Sequence, residues 1–169
     1  MCLLALMATE EGDNLVQEKD DLRFQLNPHA KFDVRAAVLL IHDDQVLVTL
    51  EATSGFAIVP GGAVKFGETA AETAVREVYE ELRLKDVQPS LVGVLESFWE
   101  QPEQTYQQLI LVHRFELSSE QAEAIVWQEG LQGQWLSFSE ASRRMRPRAL
   151  AEFMRPSETF LHLVDHHKG

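Results

Sequence analysis

Four polar side chains have types and spacing that suit phosphate chemistry. Arg76 and Glu77 are adjacent, and Glu80 and Glu81 follow Glu77 at the third and fourth positions. On a helix these three carboxylates project from one flank, where they repel one another. The helix dipole also disfavours anions near its C-terminal end. A bound cation would offset both costs, and Mg²⁺ or Mn²⁺ is a cation that prefers carboxylate oxygens.

The residues around this set extend the pattern. Arg76 can hold the Glu77 carboxylate with fork-shaped hydrogen bonds and keep it ionised. Gly61 and Gly62 come earlier, in a predicted Pro-Gly-Gly turn, and glycine lets the backbone approach a ligand closely. Glutamates clustered on a helix are nevertheless usually a solvated surface. Taken alone, these residues leave that alternative open.

The spacing of the whole segment favours a metal site over a solvated surface. Residues 62–84 read GAVKFGETAAETAVREVYEELRL. This segment resembles the signature box of the Nudix hydrolases, with glycine, Glu68, the Arg-Glu pair and the Glu-Glu pair at the family's spacing. The resemblance extends roughly over Asp33–Met145. One position departs, because Arg83 stands where the box usually has glycine, which puts the end of the helix in doubt.

The resemblance implies a metal-dependent hydrolase that cleaves a diphosphate linkage. The expected substrate is a nucleoside diphosphate derivative or a nucleoside triphosphate, and no subfamily is indicated. The expected cofactor is Mg²⁺ or Mn²⁺. By position in the box, Glu81 would be the principal metal ligand, and Glu77 and Glu80 would contribute directly or through waters. A backbone carbonyl of Gly61 or Gly62, with Gly62 preferred, would complete the set of ligands.

The box also implies roles for its other residues. Glu77 is the candidate general base, and Arg76 would orient it. Glu68 is expected to anchor the loop or the helix start, and Gly61 is expected to be structural. Some relatives use a base from outside the box. The candidates for that alternative are Glu100, Glu103 and Glu129, each of which is more often surface charge.

Aromatic residues outside the box are candidates for contact with the organic part of a substrate. Rings can stack on a nucleobase, although packing in the core or at its rim is the alternative. The candidate substrate-binding residues are Phe56, Trp99, Glu100 and Tyr106. The tail also contains His162, Asp165 and His166, and on a helix this histidine pair could bind zinc. A solvated terminal helix is favoured there.

The hydrophobic pattern predicts an α/β fold, a mixed α/β sandwich. The resemblance implies a Nudix-type α/β/α sandwich with a mixed sheet and the motif helix on one face. The motif helix is predicted over Thr69–Leu84, with an apolar face of Ala71, Ala74, Val75, Val78 and Leu82. The predicted strands are Leu22–Leu26, Val34–Ile41, Val46–Leu50, Phe56–Val59, Val87–Trp99, Tyr106–Leu117 and Gln134–Leu136. The predicted short helices are Glu120–Ala124, one ending at Met145 and capped by Ser137 or Ser139, and two in Pro147–His167.

Three segments follow from these predictions: an N-terminal extension over residues 1–32 with a possible short strand, the domain over 33–145, and a helical tail over 146–169. The apolar start, Met1–Met7, is predicted to pack on the domain or a partner. The terminal segments are candidates for a homodimer interface or a lid.

Composition limits the classes of partner. The 169 residues carry a net charge of −12, which disfavours binding to a nucleic acid polymer, since that needs Lys and Arg. A small phosphorylated substrate stays compatible, because a divalent cation reverses the local charge. One cysteine and no membrane-length apolar run predict a cytoplasmic protein without membrane contact. The alternative functions are a non-catalytic nucleotide-binding or regulatory module on the same fold, and an acidic structural domain.

Overall fold

Residues 20–168 are described by the computed structural model, so Cys2 and the apolar segment Met1–Met7 lie outside the described residues. The strands are β1 (Arg23–Asn27), β2 (Ala30–His42), β3 (Gln45–Leu50), β4 (Ala57–Ile58), β5 (Gly61–Ala63), β6 (Ser90–Glu100), β7 (Thr105–Glu116), β8 (Gly133–Ser137) and β9 (Leu161–Lys168). The helices are α1 (Ala70–Leu82), α2 (Ser119–Glu123), α3 (Phe138–Arg144) and a 3-10 helix (Arg148–Phe153).

The nine strands of the described region form one mixed sheet in the order β4-β3-β2-β7-β6-β9. β1 and β5 pair with β2, and β8 pairs with β3. Two pairings are parallel, β2 with β7 and β6 with β9, and the others are antiparallel. The long strand β2 therefore touches β1, β3, β5 and β7, and it organises the sheet.

Helices cover both faces of this sheet. Alternate residues of β2 point to opposite sides, as they must in a pleated strand. One side packs against α1 in a buried cluster that includes Ala36, Val38, Leu40, Ala74, Val78 and Leu82. The other side packs against α3 and the 3-10 helix in a cluster that includes Ala37, Leu39, Ile41, Met145, Leu150 and Phe153. The predicted α/β/α sandwich with the motif helix on one face is confirmed.

The motif helix begins at a capping box. Thr69 accepts a hydrogen bond from the Glu72 backbone N–H, and the Glu72 side chain accepts one from the Thr69 backbone N–H. The predicted apolar face is wrong in two positions, because Ala71 and Val75 are exposed. Thr73 is buried instead. The buried stripe is thus rotated toward the flank that carries the glutamates.

The helix ends at Arg83, which adopts a left-handed conformation with φ of 57°. Its backbone N–H donates to the Tyr79 carbonyl, as in a glycine-type helix end. The doubt raised by the missing glycine is therefore resolved: the helix ends in the usual geometry, and the arginine bears the strain. Its guanidinium lies 5.6 Å from the centre of the Tyr79 ring.

The Pro-Gly-Gly segment was predicted as a turn, and this is wrong in part. Gly61–Ala63 forms the short strand β5, which pairs antiparallel with Arg35, Ala36 and Ala37 of β2. The pairing requires a backbone that only glycine tolerates easily, since Gly61 has φ of 146° and a Cβ there would overlap the Ala36 carbonyl. The strand holds this segment rigidly beside α1.

The C-terminal tail contradicts the prediction of two helices. The 3-10 helix at Arg148–Phe153 is one of them, but Leu161–Lys168 is the edge strand β9. This strand pairs in parallel with β6 over its whole length, a long-range contact that the local sequence does not reveal.

The strand also excludes the alternative that His162 and His166 bind one zinc ion. Residues rise about 3.3 Å each along a strand, so His162 and His166 lie about 13 Å apart. His162 lies 2.8 Å from the Glu96 carboxylate, and His166 stacks on Phe98 with ring centres 4.5 Å apart. The two imidazoles cannot share one metal ion.

No helix in residues 20–168 is both long and apolar enough to cross a membrane.

Candidate active site

A cleft of about 250 Å³ lies between α1, β5 and the first half of β2. It gathers the box residues that the sequence singled out, apart from Glu68. The lining residues are Asp21, Arg23, Arg35, Gly61, Gly62, Ala63, Lys65, Arg76, Glu77, Glu80 and Glu81. Four acidic and four basic side chains therefore face one small space.

Arg76 donates five hydrogen bonds on the glutamate-bearing flank of α1. Its Nε and Nη2 donate to the two oxygens of Glu68, at 2.8 and 3.0 Å. Its Nη1 donates to Glu77 at 2.6 Å and to Glu80 at 3.3 Å. Its Nη2 also donates to the Ala63 carbonyl at 3.2 Å. The guanidinium thereby ties the helix to the strand β5.

Glu68 is held by the protein from several directions. Besides Arg76, the Thr73 hydroxyl donates to it at 2.8 Å and the Lys65 backbone N–H donates at 3.3 Å. The hydrogen bonds from Arg76 lower the pKa of Glu68 to about 2, and those from Thr73 and Lys65 add to the effect. This carboxylate is charged and fully engaged, and it joins the loop before α1 to the helix.

Glu77 lies against the backbone of β5. A Cβ added at Gly62 would overlap the Glu77 carboxylate, so the glycine is what makes room for it. Burial raises the pKa of Glu77, and the hydrogen bond from Arg76 opposes the rise. Arg76 and β5 thus hold the carboxylate at a position where burial destabilises its charged form.

Glu81 has less compensation for its charge. Its Oε1 accepts one long hydrogen bond, 3.4 Å, from the Gly61 N–H. Burial raises its pKa to about 7, and repulsion from Glu77 and Glu80 adds to the rise. Without a further cation, Glu81 is partly protonated near neutral pH.

Glu80 differs from these two because half of its side chain is exposed, at 49%. Across residues 20–168, no three acidic, histidine or cysteine side chains are gathered in a ready-made metal cage. Arg76 Nη1 contacts the carboxylates of both Glu77 and Glu80, at 2.6 and 3.3 Å.

The donors in the cleft fit a hard divalent cation. Three carboxylates lie on one helix flank, and two of them are buried enough to have raised pKa values. Carboxylate oxygens, a backbone carbonyl and waters are the ligands that Mg²⁺ and Mn²⁺ take. The residues that could hold such an ion are those predicted, Glu77, Glu80, Glu81 and the carbonyl of Gly62.

Three cations in the cleft were not predicted from any motif: Arg23, Arg35 and Lys65. Arg23 and Arg35 come from β1 and β2, which lie outside the box. Arg35 lies within the predicted strand Val34–Ile41, but no motif or spacing in the sequence distinguishes it as a cleft residue. The cations give the cleft a place for phosphate oxygens beside the carboxylates.

The predicted substrate residues do not line this cleft. Trp99 and Tyr106 lie opposite each other on β6 and β7, with ring centres 5.9 Å apart. Phe56 lies just before β4, and its ring is covered by the Arg146 guanidinium at 3.9 Å. Glu100 is exposed at the end of β6. The structure brings Trp99 and Tyr106 together, with Glu100 next to Trp99 on β6 and opposite Thr105, and it leaves Phe56 apart from all three.

The other predicted bases also lie outside the cleft. Glu103 is exposed in the loop between β6 and β7, and Glu129 is exposed in the loop before β8. A second, more open depression of about 520 Å³ adjoins the C-terminal end of α1 and includes Arg83, Lys85 and Glu120. It contains none of the box carboxylates, so the chemistry of the box belongs to the smaller cleft.

Several solved structures are similar to this chain in fold. No curated protein is significantly similar to the sequence. Among solved structures, a NUDIX-family hydrolase from Clostridium perfringens has a TM-score of 0.54 at 15% identity, over 76% of this chain and 95% of that one. The mutator MutT protein of Bacillus halodurans has a TM-score of 0.53 at 19% identity, over 80% and 90%. An Ap4A hydrolase from C. elegans has a TM-score of 0.53 at 14% identity, over 71% and 93%.

At these identities the structural likeness concerns the fold. The sequence match is more specific, since the sequence profile of the NUDIX domain matches residues 31–157, which include the whole box and the cleft residue Arg35. The chain therefore belongs to the NUDIX domain family.

Proposed function

We propose that the protein hydrolyses a diphosphate linkage in a nucleoside diphosphate derivative or a nucleoside triphosphate, with Mg²⁺ or Mn²⁺ as cofactor. The observation that carries the proposal is the pair Glu77 and Glu81. Both carboxylates have raised pKa values and line the same cleft, which is also lined by basic side chains that suit phosphate. Buried charge without full compensation is a feature of functional sites.

Glu81 is the principal ligand in this proposal, because its carboxylate has the least compensation from the protein. Glu77, Glu80 and the carbonyl of Gly62 are the further ligands. When bound, the ion supplies a more acidic water and offsets charge on the phosphoryl oxygens. The protein's own contribution is to hold the carboxylates rigidly, through β5 on one side and Arg76 on the other.

Glu77 is the proposed general base. Arg76 holds one of its oxygens at 2.6 Å, which fixes the direction of the carboxylate. Its raised pKa makes it a better proton acceptor than an ordinary surface glutamate. Among Glu100, Glu103 and Glu129, none lines the cleft, which favours Glu77 over them.

Two box residues have supporting roles in this account. Glu68 anchors the loop and Arg76, and it does not bind the metal, because its oxygens are already used. Gly61 provides the backbone that pairs with β2 and donates to Glu81. Both act by positioning the residues that touch the ion.

The organic part of the substrate is proposed to extend beyond the cleft and to contact Phe56, Trp99, Glu100 and Tyr106. Trp99 and Tyr106, which lie together, are the rings suited to stacking. One solved neighbour is an Ap4A hydrolase, and that name supports the proposal of a nucleotide substrate. We expect a small-molecule substrate and a cytoplasmic location. The terminal segments remain candidates for a dimer interface or a lid.

The test is turnover on a panel of nucleoside triphosphates, dinucleoside polyphosphates and nucleotide sugars with Mg²⁺ or Mn²⁺. We expect monophosphate production that falls about 1000-fold in Glu81→Gln. Glu123→Gln, an exposed glutamate on α2, is the matched control and should leave turnover unchanged. Equal turnover in Glu81→Gln and wild type would refute this site. Nucleotide binding without turnover under all metals and pH values would favour the non-catalytic module instead.

A further inference from the structure

Arg76 is occupied by the protein itself. Its three nitrogens donate to Glu68, Glu77, Glu80 and the Ala63 carbonyl. A guanidinium has five N–H donors, and these contacts use them all. The substrate's phosphate groups must therefore find another cation in the cleft.

Arg35 has the position and the unused donors for this task. It lies on β2 opposite Ala63 of β5, and it lines the cleft with the box glutamates. Within residues 20–168 its guanidinium makes one ion pair, with Asp33 at 3.7 Å, which is too long for a strong hydrogen bond. Its charge also acts on both Glu77 and Glu81, so it lies near the proposed metal ligands.

Asp33 is the carboxylate that holds Arg35. The residue is only 6% exposed, and its Oδ2 lies 3.4 Å from the Gln108 amide and 4.0 Å from Arg23 Nε. Its other oxygen, Oδ1, is buried without a hydrogen-bond partner within the described residues. A buried carboxylate with an unused oxygen destabilises the fold unless a nearby cation offsets its charge. Arg35 is such a cation for Asp33.

We propose that Arg35 binds the diphosphate of the substrate, and that Asp33 is a positioning residue that aims Arg35 into the cleft. A guanidinium pairs with phosphate oxygens through two parallel N–H donors, a geometry that lysine lacks. Arg35 on β2 would then bind the diphosphate directly, while the ion that the α1 glutamates would hold offsets the charge of the phosphate oxygens. This inference rests on the proposed function, because it names a binding residue for the same substrate.

Binding of methylenediphosphonate, a diphosphate analogue with a non-hydrolysable bridge, tests the role of Arg35 by calorimetry with saturating Mg²⁺. We expect Arg35→Ala to weaken binding about tenfold or more, and Arg35→Lys to weaken it less. Arg143→Ala is the matched control, because it removes the same charge from an exposed position on α3 and should leave binding within about twofold. An Arg35→Ala variant that binds like wild type overturns the proposal.

A double-mutant cycle tests the positioning role of Asp33. We expect Asp33→Asn to weaken binding about threefold in wild type and to have no further effect in the Arg35→Ala background. An equal effect in both backgrounds would show that Asp33 does not act through Arg35. Asp33→Ser is the second variant, for the case in which Asp33→Asn does not fold.

Two further outcomes separate this inference from the proposed reaction. If Arg35→Ala changes the affinity for Mg²⁺ alone and not that for the analogue, Arg35 only screens the glutamates and the inference is wrong. If the substrate panel gives no turnover but Arg35→Ala still weakens the analogue, the proposed reaction fails and the binding role stands.

Discussion

Glu68 and Glu81 are two glutamates of one box, and the fold treats them in opposite ways. Glu68 accepts hydrogen bonds from Arg76, Thr73 and Lys65, and those from Arg76 lower its pKa to about 2. Glu81 accepts one long bond from Gly61, and burial raises its pKa to about 7. The protein therefore compensates the charge of Glu68 with its own hydrogen bonds, and it leaves the charge of Glu81 to be compensated by a bound ligand.

The largest expected effect comes from filling the space beside Glu77. Gly62→Ala places a Cβ on the Glu77 carboxylate and displaces it, while the backbone at this position tolerates alanine. We expect turnover to fall about 100-fold with little loss of stability. Gly130→Ala is the control, because a Cβ there meets nothing within 4 Å. Unchanged turnover in Gly62→Ala would mean that the position of Glu77 is not important.

The pH dependence of stability separates the two glutamates next. The folded pKa of Glu81, about 7, lies above its ordinary value of 4.5, so its protonated form favours the folded state. This contribution is complete below pH 4.5 and is lost as pH rises through 7. We expect metal-free Glu81→Gln to match wild type at pH 4.5 and to exceed it at pH 8 by up to about 3 kcal/mol.

Chemical denaturation at both pH values measures this difference. Glu123→Gln, whose side chain is exposed, should follow the wild-type pH profile. If Glu81→Gln is no more stable than wild type at pH 8, the charge of Glu81 is already compensated and the contrast with Glu68 disappears.

Glu68→Gln should destabilise the protein at neutral pH, whereas Glu81→Gln is expected to stabilise it at pH 8. The substitution removes the charge that holds Arg76, so we expect the free energy of unfolding to fall by about 2 kcal/mol at pH 7. Because the folded pKa of Glu68 is lowered, its contribution is present above pH 4.5 and is lost as pH falls toward 2. Thermal unfolding at pH 7 and pH 3 checks this, and a Glu68→Gln variant as stable as wild type at pH 7 would argue against an anchor.

The smallest effect concerns the end of the same helix. Arg83 has φ of 57°, a conformation that costs an arginine more than a glycine. We expect Arg83→Gly to stabilise the protein by less than about 1 kcal/mol, since glycine also loses more freedom on folding. Thermal unfolding measures it, and Lys85→Gly, at an exposed position without positive φ, should not stabilise. Destabilisation by Arg83→Gly would indicate that the contact with Tyr79 outweighs the strain.

The sequence predicted α1 and its glutamates well because both depend on local spacing. Thr69 and Glu72 form a cap within one turn, and Glu77 and Glu81 share a flank on any helix. The pattern did not predict which helix residues are buried, because Val75 lies on the helical stripe of Val78 and yet faces solvent. That depends on how the helix is rotated against the sheet.

The parts that were missed depend on contacts between distant residues. β9 shows the alternation of a strand, with Leu161 and Leu163 on one side and His162 and Val164 on the other, but its parallel pairing with β6 cannot be read locally. Arg35 similarly becomes a cleft residue only when β5 pairs with β2. Tertiary pairing, rather than residue type, decided both cases.

We propose that a bound divalent cation compensates the buried negative charge of Glu81. Calorimetric titration of Mg²⁺ or Mn²⁺ into wild type and Glu81→Gln, at pH 7 in buffers of different ionisation enthalpy, tests it most directly. We predict binding to wild type with release of a proton, because the carboxylate must ionise to bind, and loss of both signals in Glu81→Gln. Equal metal binding in the two proteins, or no binding to wild type, would contradict the claim.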